Sequence, residues 1–242
     1  MERSKTRAAG PTEGGHVVPG PIRYSVGDEV SDSLTAADPS IGRVISRVGS
    51  VEVESGPTRF ATLTRIVLGQ QLSESAASAI IARVNRDIGL TPEAIVVASK
   101  QALLSAGVSG RKSGYLRGVA RAVLSEGLDL DALDTLDDER VVERLMRVRG
   151  VGRWTAQMFL LFALKRPDVI VLDDIGIRAA AGRALGLGRP ASARELEEAS
   201  ERWRPYRSAA TLYLSRDRNA TKLARHTGGR RDADEHRVEA GV

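Results

Sequence analysis

Two carboxylates, Asp173 and Asp174, close the apolar run Val169–Leu172, and twenty residues before the second stands Trp154, in the stretch Leu145-Met-Arg-Val-Arg-Gly-Val-Gly-Arg-Trp-Thr-Ala156. A carboxylate in such a place has two uses. It can cap the helix predicted over Ile175–Leu185, because Asp is favoured at a helix start and complements the dipole. It can also stabilise positive charge on a reacting group and orient or deprotonate a water molecule. The Gly150-Val-Gly152 turn supplies a second kind of chemistry. Residues without Cβ permit tight reversal and close approach of the backbone to a partner. The apolar helix that opens at Arg153 turns its N–H groups and positive dipole end toward that turn, a setting that suits a phosphate. From the residues alone, Gly-x-Gly could equally be a plain interhelix joint.

These residues need helices to hold them, and the apolar periodicity predicts mostly helix. Residues 1–30 are rich in Gly, Pro and charge without periodicity and are expected to form a flexible arm, with folded structure from near Asp32 over a domain of residues 31–216. Ile41, Val44, Ile45 and Val48 fall at helical spacing within an amphipathic stretch over 34–48, with Pro39 in its first turn. Phe60, Leu63 and Val67 continue that period. It breaks at Gly69-Gln-Gln-Leu-Ser73 and restarts through Ala76, Ile80 and Val84, with Ser73 as N-cap. Helix is also predicted over Leu103–Val123 around a Gly107–Gly114 turn, from Thr135-Leu-Asp-Asp138 into the hairpin turn, and over Glu195–Arg218. Strand signals are confined to Ser50–Glu54 and Val169–Leu172, and residues 217–242 are expected to form a polar tail. The expected fold class is all-α.

Residues 145–156 resemble the hairpin of the helix-hairpin-helix (HhH-GPD) DNA glycosylase superfamily, whose Leu-Pro-Gly-Ile-Gly-x-x-Thr-Ala pattern precedes an essential Asp by about twenty residues. Arg149 stands where the pattern has Pro, and Asp174 falls at the place of the essential Asp. Val67-Leu-Gly-Gln-Gln-Leu-Ser73, Gly107-Val-Ser-Gly-Arg-Lys-Ser-Gly-Tyr-Leu116 and Trp203-Arg-Pro-Tyr-Arg-Ser208 are similar to segments of the DNA-3-methyladenine glycosylase II, or AlkA-like, branch. The four motifs stand in order over residues 34–216.

The resemblance implies two helical lobes with an interlobe active-site cleft, and Asp174 as the catalytic carboxylate, with Asp173 left as cap or support. It implies a base pocket of Trp154, Met158 and Ser215, where better-known relatives have aromatics at the last two places. Trp154 takes the position at which lyase members hold a Lys, and an indole cannot form a Schiff base; the implied enzyme is therefore monofunctional. Trp154 can offer a stacking face to a cationic base or anchor the hairpin in the core, and Tyr115 and Tyr206 are expected to pack in the core. DNA binding is implied for Arg149, Gly150, Val151, Gly152, Arg153 and Thr155, with charge added by Arg111 and Lys112. The Gly69–Ser73 interruption would supply the wedge that fills the stack after base flipping, either Gln71 or Leu72. No cofactor is required; a monovalent Na+ or K+ would sit on the backbone carbonyls of Met146, Val148 and Val151.

Composition agrees with this and excludes other classes. The 242 residues contain no cysteine, which excludes disulfides and the four-Cys iron–sulfur cluster of the endonuclease III branch. The net charge of +5 favours a polyanionic partner but is modest enough to suit a plain basic protein, and the resemblance implies double-stranded DNA containing damaged bases. No apolar run approaches a membrane span and no signal peptide is recognisable. The chain is expected to be a chromosome-associated, cytoplasmic monomer that removes alkylated purines in base excision repair. The alternatives are a glycosylase for oxidised or deaminated bases and a non-catalytic helix-hairpin-helix DNA-binding protein.

Overall fold

Short polar side chains divide the chain into helices. In the computed structural model, which describes residues 21–53 and 55–217, Asp28 and Asp38 cap α1 (Glu29–Ala37) and α2 (Pro39–Val48). Thr58 and Ser73 cap α3 (Arg59–Gly69) and α4 (Glu74–Asp87). Thr91, Ser99 and Ser109 cap α5 (Pro92–Val97), α6 (Lys100–Ser105) and α7 (Gly110–Ser125). Asp137 caps α8 (Asp138–Met146), whereas α9 (Arg153–Phe162) starts on Gly152 with no side-chain cap. Asp174 caps α10 (Ile175–Ala184), and Ser192 with Glu195 forms a capping box on α11 (Ala193–Ser200). A last helix, α12, occupies residues 207–217. Each side-chain cap satisfies an N–H that the helix itself cannot, an effect of about 1 kcal/mol.

The fold is mostly helical, as expected, and the differences from expectation are local. Folded structure begins ten residues earlier than Asp32: β1 (Ile22–Tyr24) pairs antiparallel with β2 (Val51–Val53), Ile22 opposite Val53 and Tyr24 opposite Val51. The expected arm therefore reaches at most to residue 20, and residues 1–20, like 218–242, lie outside the described part. The stretch 34–48 is two helices, because Asp38 leaves the helical region at φ −149°, ends α1, and caps α2 with Pro39 at its first position. Val169–Leu172 forms no strand. It runs extended through the core, held where Val169 N–H donates to Ser208 Oγ at 3.0 Å and Val169 O accepts from Thr211 Oγ1 at 3.1 Å. The predicted helix over Glu195–Arg218 is interrupted at Arg204-Pro205, since Pro disfavours helix in the residue before it.

Packing groups α1, α2, α10 and α11 around one another, while α3 packs on α4, α7 and α9, with α8 on α9 and α5 and α6 on α7. One continuous apolar core runs through both groups, with Phe159, Trp203 and Tyr213 fully buried. Buried polar pairs join distant segments of the first group. Trp203 Nε1 donates to Asp38 Oδ2 at 2.9 Å, and Ser31 and Tyr213 share a hydroxyl bond of 2.8 Å. Ser208 and Thr211 of α12 hold the buried run 169–171 and so set where Asp173 and Asp174 emerge.

Candidate active site

Asp174 emerges from that run with extended backbone, φ −79° and ψ 108°, as the last residue before α10. Its Oδ1 accepts the N–H groups of Gly176 and Ile177 at 2.8 and 2.9 Å, while Oδ2 accepts the Trp154 indole N–H at 3.0 Å. Asp173, expected as the cap, is exposed one residue too early to reach those amides. Capping thus occupies only one of the two carboxylate oxygens of Asp174. One oxygen anchors the helix start, and the other is oriented by Trp154.

Trp154 is the second residue of α9, half-buried, its ring packed against the core. The twenty-residue spacing that marks the motif in the sequence is, in space, the hydrogen bond between these two side chains. Trp154 packs against the core and also lines a cavity. That cavity, about 1010 Å³, lies between α3, α4, α9, α10 and α12 and brings together Trp154, Met158, Ser215, Asp174, Gln71 and Leu72. The interlobe cleft expected from the sequence is this space. Arg65, Arg183 and Arg216, to which no sequence signal pointed, also line it, with Arg183 paired to Asp217 at 2.9 Å and Arg216 to Glu74 at 3.8 Å.

The hairpin itself spans Val148–Gly152. Gly150 has φ +94° and lies directly on the ring of Tyr115, where any Cβ would collide with the ring carbons. Glycine is therefore required at 150 twice over, by conformation and by contact. At Gly152 nothing stands within 4 Å of where a Cβ would be. The first N–H groups of α9, from Arg153, Trp154 and Thr155, have no carbonyl one turn earlier in the helix, and Gly152 offers them no side chain. Such a terminus is suited to a phosphate oxygen.

The predicted DNA-binding residues divide by orientation. Arg149 and Arg111 are exposed and make no ion pair among the described residues. Arg153 is exposed but held by Glu139 at 3.2 Å. Val151 is turned inward, 4% exposed, and its N–H donates to Val148 O at 3.0 Å. Thr155 is buried, its hydroxyl accepting from Gln70 Nε2 at 2.8 Å. Lys112 bends back to α3, its Nζ donating to the carbonyls of Leu68 and Gln70 at 2.7 Å each, and burial lowers its pKa. These three side chains brace the site from within and do not project from it.

Gln70 is the residue that sequence reasoning missed. Its amide donates to Gly150 O at 3.1 Å as well as to Thr155, tying the Gly69–Ser73 loop to the hairpin. Its neighbour Gln71 has φ +57°, unusual for a residue with a Cβ, and is exposed at the loop tip beside Leu72, 40% exposed. Both wedge candidates thus present themselves at the cavity mouth. Of the three carbonyls considered for a cation, that of Val148 accepts the Val151 N–H, which leaves it a second lone pair, and that of Met146 ends α8. Neutral oxygen donors of this kind fit a hard alkali ion.

Comparison with known proteins agrees with this geometry. Residues 64–205 match the family model of the HhH-GPD superfamily base excision DNA repair proteins. The chain is 31% identical over 215 residues to DNA-3-methyladenine glycosylase 1 of Schizosaccharomyces pombe, covering 83% of this chain and 93% of that one. Its fold is similar to a crystal structure of a DNA-3-methyladenine glycosidase from Bacillus halodurans, with TM-score 0.69, 33% identity, and 84% and 94% of the two chains covered. It is also similar to a 3-methyladenine DNA glycosylase of S. pombe solved in complex with abasic DNA, with TM-score 0.72, 30% identity, and 78% and 95% covered. With its uncapped hairpin helix and its Trp154–Asp174 pair set in one cavity, the chain belongs to the HhH-GPD superfamily of base excision DNA repair proteins, in the 3-methyladenine glycosylase branch.

Proposed function

We propose that this protein is a monofunctional DNA glycosylase that hydrolyses the N-glycosidic bond of alkylated purines, of the 3-methyladenine type, in duplex DNA. The observation that carries the proposal is the Trp154–Asp174 hydrogen bond inside a cavity bordered by the hairpin. Phosphate binding at Gly150, Gly152 and the start of α9 positions the strand without reading its sequence. The damaged nucleotide turns out of the stack into the cavity, with Gln71 or Leu72 occupying the gap. The bond between C1′ and the base nitrogen then breaks, and its electron pair leaves with the base. Positive charge develops on the sugar, where the Asp174 carboxylate stabilises it without forming a bond. Water adds its oxygen to C1′, and its proton passes to Asp174 or to solvent. With an indole and no amine at position 154, the abasic strand is left uncut. When bound, Na+ or K+ on the carbonyls of Met146, Val148 and Val151 would add positive charge at the phosphate. The protein acts as a monomer on double-stranded DNA.

Purified protein is expected to release alkylated purines from methylated duplex DNA. Asp174→Asn should lower that release by at least ~100-fold, while duplex binding and melting temperature stay near wild type, because Asn also caps helices well. Base release that survives the substitution with binding intact would refute the assignment. Borohydride trapping tests the second half of the proposal: a covalent protein–DNA product would show lyase chemistry. The pocket of Met158 and Ser215 offers less stacking surface than an aromatic one, so neutral oxidised and deaminated bases belong in the same assay.

A further inference from the structure

The hairpin is a ridge with a concavity on each side. Gly152, Trp154 and Thr155 line the base cavity, whereas Val148 and Arg149 line a separate groove of about 690 Å³ between α7 and the end of α8. Its rim carries Arg111, Arg121, Arg144, Arg147 and Arg149, and Glu126 is the single acid among its lining residues. None of the five arginines makes an ion pair or a side-chain hydrogen bond among the described residues. Arg153, on the opposite flank, is neutralised by Glu139. The groove floor is the Gly110, Gly114, Gly118 face of α7, where a Cβ at Gly110 or Gly114 would meet nothing within 4 Å. A bare helix face under five uncompensated guanidinium groups admits a chain of anions at close range.

We propose that this groove is a second phosphate track, which takes the DNA backbone as it leaves the hairpin on the side away from the base cavity. The proposal rests on the hairpin's assignment to phosphate binding above. Charge complementarity and direct continuity through Val148 and Arg149 favour DNA over any other polyanion. The track lengthens the footprint on undamaged as well as damaged duplex and makes binding steeply dependent on salt.

The test is binding of the full chain to an undamaged duplex across a salt series. Each phosphate contact contributes about 0.9 to the slope of log K against log salt. The Arg121→Ala, Arg144→Ala, Arg147→Ala triple variant should therefore show a slope shallower by about 2 to 3. Gly114→Glu guards against misfolding, because the site is open and Glu is the better helix former. It should bind the duplex at least tenfold more weakly than Gly114→Gln, with melting temperature at or above wild type. Unchanged slope in the triple variant, together with equal binding by the two Gly114 variants, overturns the track. Release of alkylated bases by the wild-type protein is scored separately, so failure of the glycosylase assignment and failure of the track are distinguishable.

Discussion

One carboxylate oxygen of Asp174 caps α10, and Trp154 orients the other. The indole N–H fixes Oδ2 toward the cavity, while the amides of Gly176 and Ile177 hold Oδ1. Trp154→Phe keeps most of the ring surface and removes only the donor. Loss of a hydrogen bond to a charged group is worth about 1.5–3 kcal/mol, so single-turnover base release should fall roughly 10- to 100-fold while KM changes little. A rate within twofold of wild type would deny Trp154 this positioning role. Asp174→Ala should differ from Asp174→Asn in a way specific to capping: it loses about 1 kcal/mol of stability as well as activity, readable by denaturant titration. The pairing of Trp154 with Asp174 was legible in the sequence because it depends on residue type and spacing. The cap was assigned one residue too early because which of two adjacent carboxylates meets the amides depends on backbone angles.

At the scale of elements, the hairpin and the Gly69–Ser73 loop form one unit. Gln70 bridges them, Lys112 holds the end of α3 from α7, and Tyr115 of α7 supports Gly150 from beneath. Gly150→Ala introduces a Cβ at φ +94° and into the Tyr115 ring. It should cost about 1–3 kcal/mol of stability and weaken DNA binding more than tenfold, measured by thermal melting and by duplex titration. Binding and stability both at wild-type level would show that the turn can move off Tyr115 freely. Helix starts at Ser73, Asp138 and Arg153 could be read from local residues, since capping and periodicity act within a turn or two. β1 could not, because a three-residue strand exists only by pairing with Val51–Val53, which lie nearly thirty residues away. Nor could the tasks of Gln70 and Lys112, whose partners come from elsewhere in the chain.

At the scale of the whole molecule, the first group of helices is closed by carboxylates that join the two ends of the described chain. Burial raises the pKa of Asp38, but bonds from Ser40 and Trp203 and the charge of Arg202 more than offset it, leaving the carboxyl below its ordinary value. Asp217 is likewise raised by burial and lowered further by Arg47 and Arg183. A carboxyl depressed in the folded state contributes stability above its unfolded pKa of about 3.9 and loses it as pH falls through the folded value. Stability should therefore decline below about pH 4. Asp38→Asn should destabilise the protein most near neutral pH, with the difference from wild type narrowing in acid. A gap that stays constant from neutral pH to pH 3 would mean that the Asp38 charge does not contribute. The start of α9 carries a different consequence for the molecule as a whole. Its first amides have no side-chain cap, and phosphate bound there as proposed would complete the helix. Occupancy and folding are then thermodynamically linked, and melting temperature becomes a titration curve. At 100 times the dissociation constant, duplex should add about 2.7 kcal/mol of apparent stability, and the part of the rise in melting temperature that Gly150→Ala abolishes reports the hairpin's share.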